Sequence, residues 1–298
     1  MKPLYAMHEA SRNAGTTPVH EDTDMEGTPG SDENGTASSR TVRFGYWSAT
    51  RSATYGFLAA LPLFGLYESL ILLVNADRLS HVRVGADLWI KQLMALLEGV
   101  TGGSHVILLG VPVVLAGLFV FLHDRKRRPP IRPAWFGWLI GESLVYATGV
   151  AFLVSTVVGL MFALHPMLGS AGHVLHPALM MQEVESLSAP AMLVLSIGAG
   201  LYEELVFRVL LVGGLFWIFR KRVARAWLAY ALAAVIGAFL FSAVHYMGPL
   251  GDPFTLASFT FRLLFGLALN AVFLLRGFGV AAWTHALYDV LVVTQILG

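Results

Sequence analysis

Residues 191–219 read AMLVLSIGAGLYEELVFRVLLVGGLFWIF, an apolar stretch with Glu203, Glu204 and Arg208 near its centre. A bilayer core of roughly 30 Å takes about 20 helical residues to cross, and this stretch is long enough. An ionisable side chain at that depth costs roughly 2.5–3.5 kcal/mol on insertion scales, so such groups usually face a wet cavity and act there. Phe241-Ser-Ala-Val-His245 and His285-Ala-Leu-Tyr-Asp289 lie in two further apolar stretches. Together these segments bring carboxylates, imidazoles and a guanidinium, the parts of a proton-transfer or metal site.

The composition agrees with a membrane protein. Of 298 residues, 56% are hydrophobic and 13% charged, where a soluble domain carries about 25% charge. The fold class expected is all-α, a polytopic transmembrane helix bundle of about seven spans with a disordered N-terminal tail. A net charge of +1 gives no reason to expect a nucleic-acid partner. With no cysteine, disulfides, thiolate zinc sites, iron–sulfur clusters and cysteine nucleophiles are excluded.

Three regions follow. Residues 1–41 are rich in Gly, Ser, Thr and acids and contain no apolar run. They are expected to be disordered, and they lack a signal-peptide core. His8-Glu9 opens like a zinc-protease HExxH helix, but Ala10, Ser11 and Arg12 follow and the motif fails. Residues 42–189 hold the first helices and a basic loop. Residues 190–298 hold the charged motifs.

Candidate spans fall at about 54–75, 105–122, 138–164, 191–219, 227–247, 255–275 and 278–297. Residues 86–98 alternate at helical spacing, which suits a helix lying on the membrane surface. Basic residues orient the bundle. Arg125, Lys126, Arg127, Arg128 and Arg132 sit in one loop, and Arg220, Lys221, Arg222 and Arg225 in another two spans on. Arg276 and the residues Arg40, Arg43 and Arg51 fall on the same side, which places the N-terminus in the cytoplasm. The loop between the third and fourth spans has Glu183 and Glu185 and no Lys or Arg.

Helical spacing sorts the charged residues. Glu204 and Arg208 are four apart and share a face, so Arg208 can neutralise Glu204. Glu203 lies about 100° around the helix and has no such local partner. Desolvation suits an unpaired carboxylate to general-base work, which makes Glu203 the candidate for proton transfer and Glu204 the candidate for structure. A Glu–Arg cluster that only pins helices together is the plainer reading. A lone His245 on a transmembrane helix is by itself more often a hydrogen-bonded packing residue. His285 and Asp289 are four apart and stack on one face, which suits a shared metal ion or a carboxylate that orients an imidazole.

Glu203-Glu204-Leu-Val-Phe-Arg208, Phe241-Ser-Ala-Val-His245 and His285-Ala-Leu-Tyr-Asp289, in this order on successive apolar segments, resemble the CPBP family. These are the CAAX-protease and bacteriocin-processing intramembrane proteases, also called the Abi family. The resemblance covers roughly residues 190–298. It implies an intramembrane metalloendopeptidase acting on a membrane-associated peptide or protein substrate, prenylated CAAX-type or leader, in a lipid bilayer such as a bacterial inner membrane. Glu203 would activate a water. His245 and His285 would hold that water or a divalent metal, zinc being the first choice. Asp289 would complete the metal set of His245, His285, Asp289 and Glu203, or support the oxyanion indirectly. Glu204 and Arg208 would shape the pocket. The last motif position is usually Asn in the eukaryotic CAAX endopeptidases; Asp289 adds a negative charge there. Arg208 and Arg262 are the cations nearest to serving as oxyanion donors.

One expectation strains the grouping. At roughly 1.5 Å per residue, His285 lies about 14 Å from Arg276, Glu203 about 25 Å from Arg220 and His245 about 30 Å from Arg225. Tilt, a kink near Gly237 or helices projecting into the cytoplasm would reconcile these depths. Rhomboid and presenilin-like patterns fit worse: no Gly-x-Ser-Gly is present, and no Gly-x-Gly-Asp accompanies Tyr288-Asp289. His165, His173 and His176 suit a solvated loop better than a second metal site. The competing functions are a proton-coupled transporter using the same Glu and His residues and a non-catalytic scaffold.

Overall fold

The computed structural model describes residues 45–74, 84–87, 89–90, 92, 105–125, 129–163, 188–247 and 251–296. The N-terminal tail 1–41, Glu183, Glu185 and the three loop histidines lie outside the described residues. Within them the chain is helical with no strand. The helices are α1 (Tyr46–Thr50), α2 (Ala53–Val74), α3 (His105–Asp124), α4 (Pro133–Ala163), α5 (Ala189–Gly198), α6 (Gly213–Phe219), α7 (Ala226–Val244), α8 (Leu256–Arg276) and α9 (Phe278–Val293). A π-helical segment, Ala199–Val212, joins α5 to α6 without a break.

Each expected span is a helix, and α2, α4, α7 and α8 are long and apolar enough to cross a bilayer. Their outward faces carry large exposed apolar side chains such as Leu72, Trp138, Phe152 and Phe239. Water would oppose such a surface and lipid would not. This is an integral membrane protein. At 16 residues, α9 is only about 24 Å long and falls short of the bilayer core.

That short helix sits at the centre, packed against α2, α4, α5, the π segment and α8. Its sequence explains how. Gly279, Ala281, Ala282 and Ala286 are small and buried, so neighbouring backbones approach closely. A Cβ on Gly200 would lie 2.5 Å from both Cβ and N of Ala286, so this crossing accepts only glycine. Ser143 of α4 donates to the Val280 carbonyl at 3.3 Å, and the Trp283 indole donates to the Ala59 carbonyl at 2.8 Å. These bonds fix the rotation of α9 about its own axis. An aromatic core from α4, the π segment, α7, α8 and α9, including Phe207, Phe241, Phe261, Phe265 and Tyr288, surrounds its C-terminal half.

Arg276, expected at the membrane surface, is buried at 3% exposure. It donates to both Glu142 carboxylate oxygens at 2.5 and 2.8 Å, to Thr50 Oγ1 at 2.8 Å and to the Trp47 carbonyl at 3.1 Å. Glu142 lies well inside α4, about 14 Å along the helix from Pro133. The α8–α9 turn therefore packs against α1 and the start of α2. Gly277, with φ +87°, makes that turn where a side chain would press on the Arg51 carbonyl. Arg276 is thus held by α1 and α4 rather than free at the end of its helix.

The start of the 86–98 segment also packs inward. Val84, Ala86 and Asp87 are buried against α2, and Tyr67 donates to Asp87 at 2.8 Å. These residues pack on the bundle while Trp89 is exposed, and most of 86–98 lies outside the described residues.

Candidate active site

The π segment carries Glu203, Glu204 and Arg208. Bonding from i to i+5 widens the turn and rotates successive side chains by less than an α-helix does, and such segments recur at functional sites. The α-helical frame assumed from sequence is corrected here, but the pairing survives. Arg208 Nη1 lies 3.0 Å from Glu204 Oε1, both side chains being almost wholly enclosed.

Glu204 has a second partner that helical spacing does not reveal. His285 Nδ1 lies 2.7 Å from the same Glu204 Oε1. A carboxylate accepts, so Nδ1 carries the proton and the other nitrogen, Nε2, points onward. Nε2 faces Asp289 Oδ2 at 3.6 Å, the i,i+4 neighbour on α9. The order Arg208, Glu204, His285, Asp289 thus runs from the interior toward the more open side, since Asp289 and Glu203 are less enclosed than the first three.

His245 is the first residue beyond α7, at its C-cap. Its Nδ1 donates to the Phe241 carbonyl at 2.7 Å, which leaves the Nε2 lone pair outward. That nitrogen faces Glu203 Oε2 across 4.0 Å. The gap is too wide for a direct hydrogen bond, and a water about 2.8 Å from each group would span it.

Phe241 is the common floor. Arg208 lies over its ring at 4.5 Å, while the His245 and His285 rings meet it edge-on with centroids at 4.9 and 6.0 Å. Phe265 meets His285 from another side at 5.5 Å. The three motifs therefore converge although their sequence depths disagree. The packing of α9 against the π segment brings them together. Helix α7 runs unbroken through Gly237, whose missing side chain instead admits Val212: a Cβ there would meet Val212 Cγ2 at 2.4 Å.

Residues 185–291 match the family described as type II CAAX prenyl endopeptidase Rce1-like. This is the CPBP, or CAAX protease, family that the motifs resemble. The CAAX endopeptidase match spans α5 to most of α9 and contains Glu203, Glu204, Arg208, His245, His285 and Asp289. No curated protein and no solved structure matches the chain.

The family resemblance raises the question of a metal. Among the described residues, no group of three or more His, Asp or Glu side chains converges as a metal-binding set. His285 Nδ1 is held by Glu204 and His245 Nδ1 by the Phe241 carbonyl, which leaves each Nε2 as the nitrogen able to ligate. Glu203 Oε2 and His245 Nε2 lie 4.0 Å apart, wider than the roughly 3.3 Å between two ligands of one tetrahedral ion. Glu203, His245, His285 and Asp289 are the residues that would hold a divalent ion, whose chemistry would be to lower the pKa of a bound water.

One contributor escaped the motif reading, and another holds different partners from those expected. Glu142, a lone carboxylate in the third apolar stretch, is visible in sequence as intramembrane charge, but its partner Arg276 looked like a flanking cation. Arg262 was noted as a possible oxyanion donor; it is instead held by Asp252, Tyr246 and Ser258.

Proposed function

We propose that the chain is an intramembrane endopeptidase that cleaves a membrane-associated peptide with a water activated by Glu203 and His245. The observation that carries this reading is the 4.0 Å separation of Glu203 Oε2 and His245 Nε2, each presenting an acceptor. A water between them donates one proton to each, and its remaining lone pair is free for attack on a carbonyl carbon. Glu203 takes the water proton as the C–O bond forms and gives it to the amide nitrogen as the C–N bond breaks. His285, between Glu204 and Asp289, donates in its imidazolium form from Nε2 to the developing oxyanion. Glu204 and Arg208 hold that ring in place. Typical general-base contributions of about 10²–10⁴ in rate make Glu203 the most sensitive position.

The CAAX endopeptidase match supports a prenylated C-terminal peptide as the first substrate to try. The basic loops and Arg276 support seven crossings with the N-terminus in the cytoplasm.

The test is a peptidase assay on the detergent-purified full chain, with quenched prenylated CAAX-type and unprenylated leader-type peptides. Wild type is compared with Glu203→Gln, with and without chelator. Cleavage lost in Glu203→Gln while the thermal profile is kept supports the reading. Cleavage surviving that change rules out Glu203 as base. A chelator-sensitive activity would show that a divalent metal takes part. No cleavage of any peptide, with proton flux in vesicles abolished by Glu203→Gln, would replace the reading with proton-coupled transport.

A further inference from the structure

Helix α7 ends at Val244, so His245 lies just beyond the regular helix that should aim it. Its ring bond to the Phe241 carbonyl fixes the tautomer, but the backbone at a helix end frays unless it is tied down. Here the tie comes from beyond the helix. The Asp252 amide donates to the His245 carbonyl at 2.8 Å. The Asp252 carboxylate is in turn gripped by Arg262 Nη2. The other terminal nitrogen of Arg262 donates to the Tyr246 hydroxyl at 2.8 Å and to Ser258 Oγ at 2.7 Å. Those two hydroxyls bond each other at 2.6 Å. One guanidinium on the second turn of α8 thus joins both neighbours of the His245 backbone, Tyr246 in the chain and Asp252 across the hydrogen bond.

We propose that Arg262, acting through Asp252 and Tyr246, is a positioning residue that sets the distance from His245 to Glu203. The inference rests on the reading of His245 as a water-holding residue. Its physical basis is rigidity. Nothing in the ring bond prevents the His245 backbone from swinging with the end of α7. A planar guanidinium with several committed donors resists that motion better than a flexible ammonium does. With both terminal nitrogens bonded to Asp252, Tyr246 and Ser258, Arg262 acts on the structure of the site. A displacement of 1 Å in such a group can lower a rate about 100-fold.

The full chain in detergent or nanodiscs is compared as wild type, Arg262→Gln, Arg262→Lys, Asp252→Asn and the double variant Arg262→Gln/Asp252→Asn. Cleavage kinetics use the quenched prenylated peptide. Hydrogen exchange of the Asp252 amide and ¹⁵N-histidine NMR of the His245 ring report the clamp without reference to activity. Arg262→Gln should lower kcat about 10–100-fold with KM changed less than about twofold, the pattern of a lost transition-state arrangement. It should also speed Asp252 exchange and mix the His245 tautomers. Arg262→Lys should recover part of both effects, and it serves if the Gln variant fails to fold. The double variant should be no worse than the poorer single one, since the two residues act as one unit. Unchanged exchange and an unchanged ring signal in Arg262→Gln would overturn the proposal, as would losses that multiply in the double variant. If wild type cleaves nothing, altered exchange and ring signals in the variants would keep the clamp and place the failure in the peptidase reading.

Discussion

Two buried arginines in this bundle face the same problem and meet it differently. Arg276 is saturated: both Glu142 oxygens, the Thr50 hydroxyl and the Trp47 carbonyl accept from it, and its guanidinium also lies 4.0 Å over the Trp47 ring. Arg208 is equally buried, yet it faces one oxygen of Glu204 in an ion pair, and among the described residues its nitrogens and Glu204 Oε2 have no partner at hydrogen-bonding geometry. A charge whose bonds are all filled is a staple, here joining α1, α4 and α8. A charge with spare capacity, beside two histidines and two more carboxylates, belongs to a place where groups change partners. Buried ion pairs add little to net stability, but breaking one by removing a single partner is costly. The contrast therefore predicts that variants near Arg276 lose stability alone, while variants near Arg208 lose chemistry as well.

The sharpest break between the two regions is expected at Glu203. Glu203→Gln should lower kcat by about 10²–10⁴ and leave the melting temperature near that of wild type. A large drop in melting temperature would move Glu203 to the staple side of the comparison. Next in size, Glu142→Gln or Arg276→Met should destabilise the fold by about 3–5 kcal/mol, since each leaves one charge buried alone. Specific activity of the folded fraction should stay within about twofold; thermal melts beside active-site titration measure both. Replacing both residues together should recover most of the lost stability, because no uncompensated charge remains.

Glu204→Gln tests the other pair. It keeps the shape but removes the charge that holds the His285 Nδ1 proton. By analogy with outer-shell carboxylates on histidine, it should lower activity about 10–100-fold. An effect on stability alone would make Arg208–Glu204 a second staple and erase the distinction. The smallest expected change is Gly200→Ala, where the added carbon meets Ala286. Overpacking of about 1–3 kcal/mol should appear in denaturation. The shifted α9 carries His285, so a modest loss of kcat should accompany it. An unaltered melting profile would show that the crossing of the π segment with α9 yields more easily than its geometry suggests.

Much of this was open to a reader of the chain. Apolar run lengths located the helices, because a segment that cannot hydrate its backbone must satisfy it internally. The three charged motifs were legible because ionisable groups stand out against an apolar background. The Glu204–Arg208 and His285–Asp289 pairs were legible because helical spacing is local. The bond from His285 to Glu204 was not, since it joins residues far apart in the chain and depends on how α9 is rotated. The Arg276–Glu142 pair was hidden for the same reason, and Arg276 looked like a cation at a membrane surface.

Which residues are chemically capable, and that they lie on helices in a membrane, follows from side-chain type and periodicity, properties each short segment carries alone. Depth and company do not. The π turn, the glycine turn between α8 and α9 and the contact of Gly200 with Ala286 together decide that Glu203 meets His245 while Glu204 turns to His285. Packing several helices around one short central helix sets those distances, and packing is a property of all the segments at once.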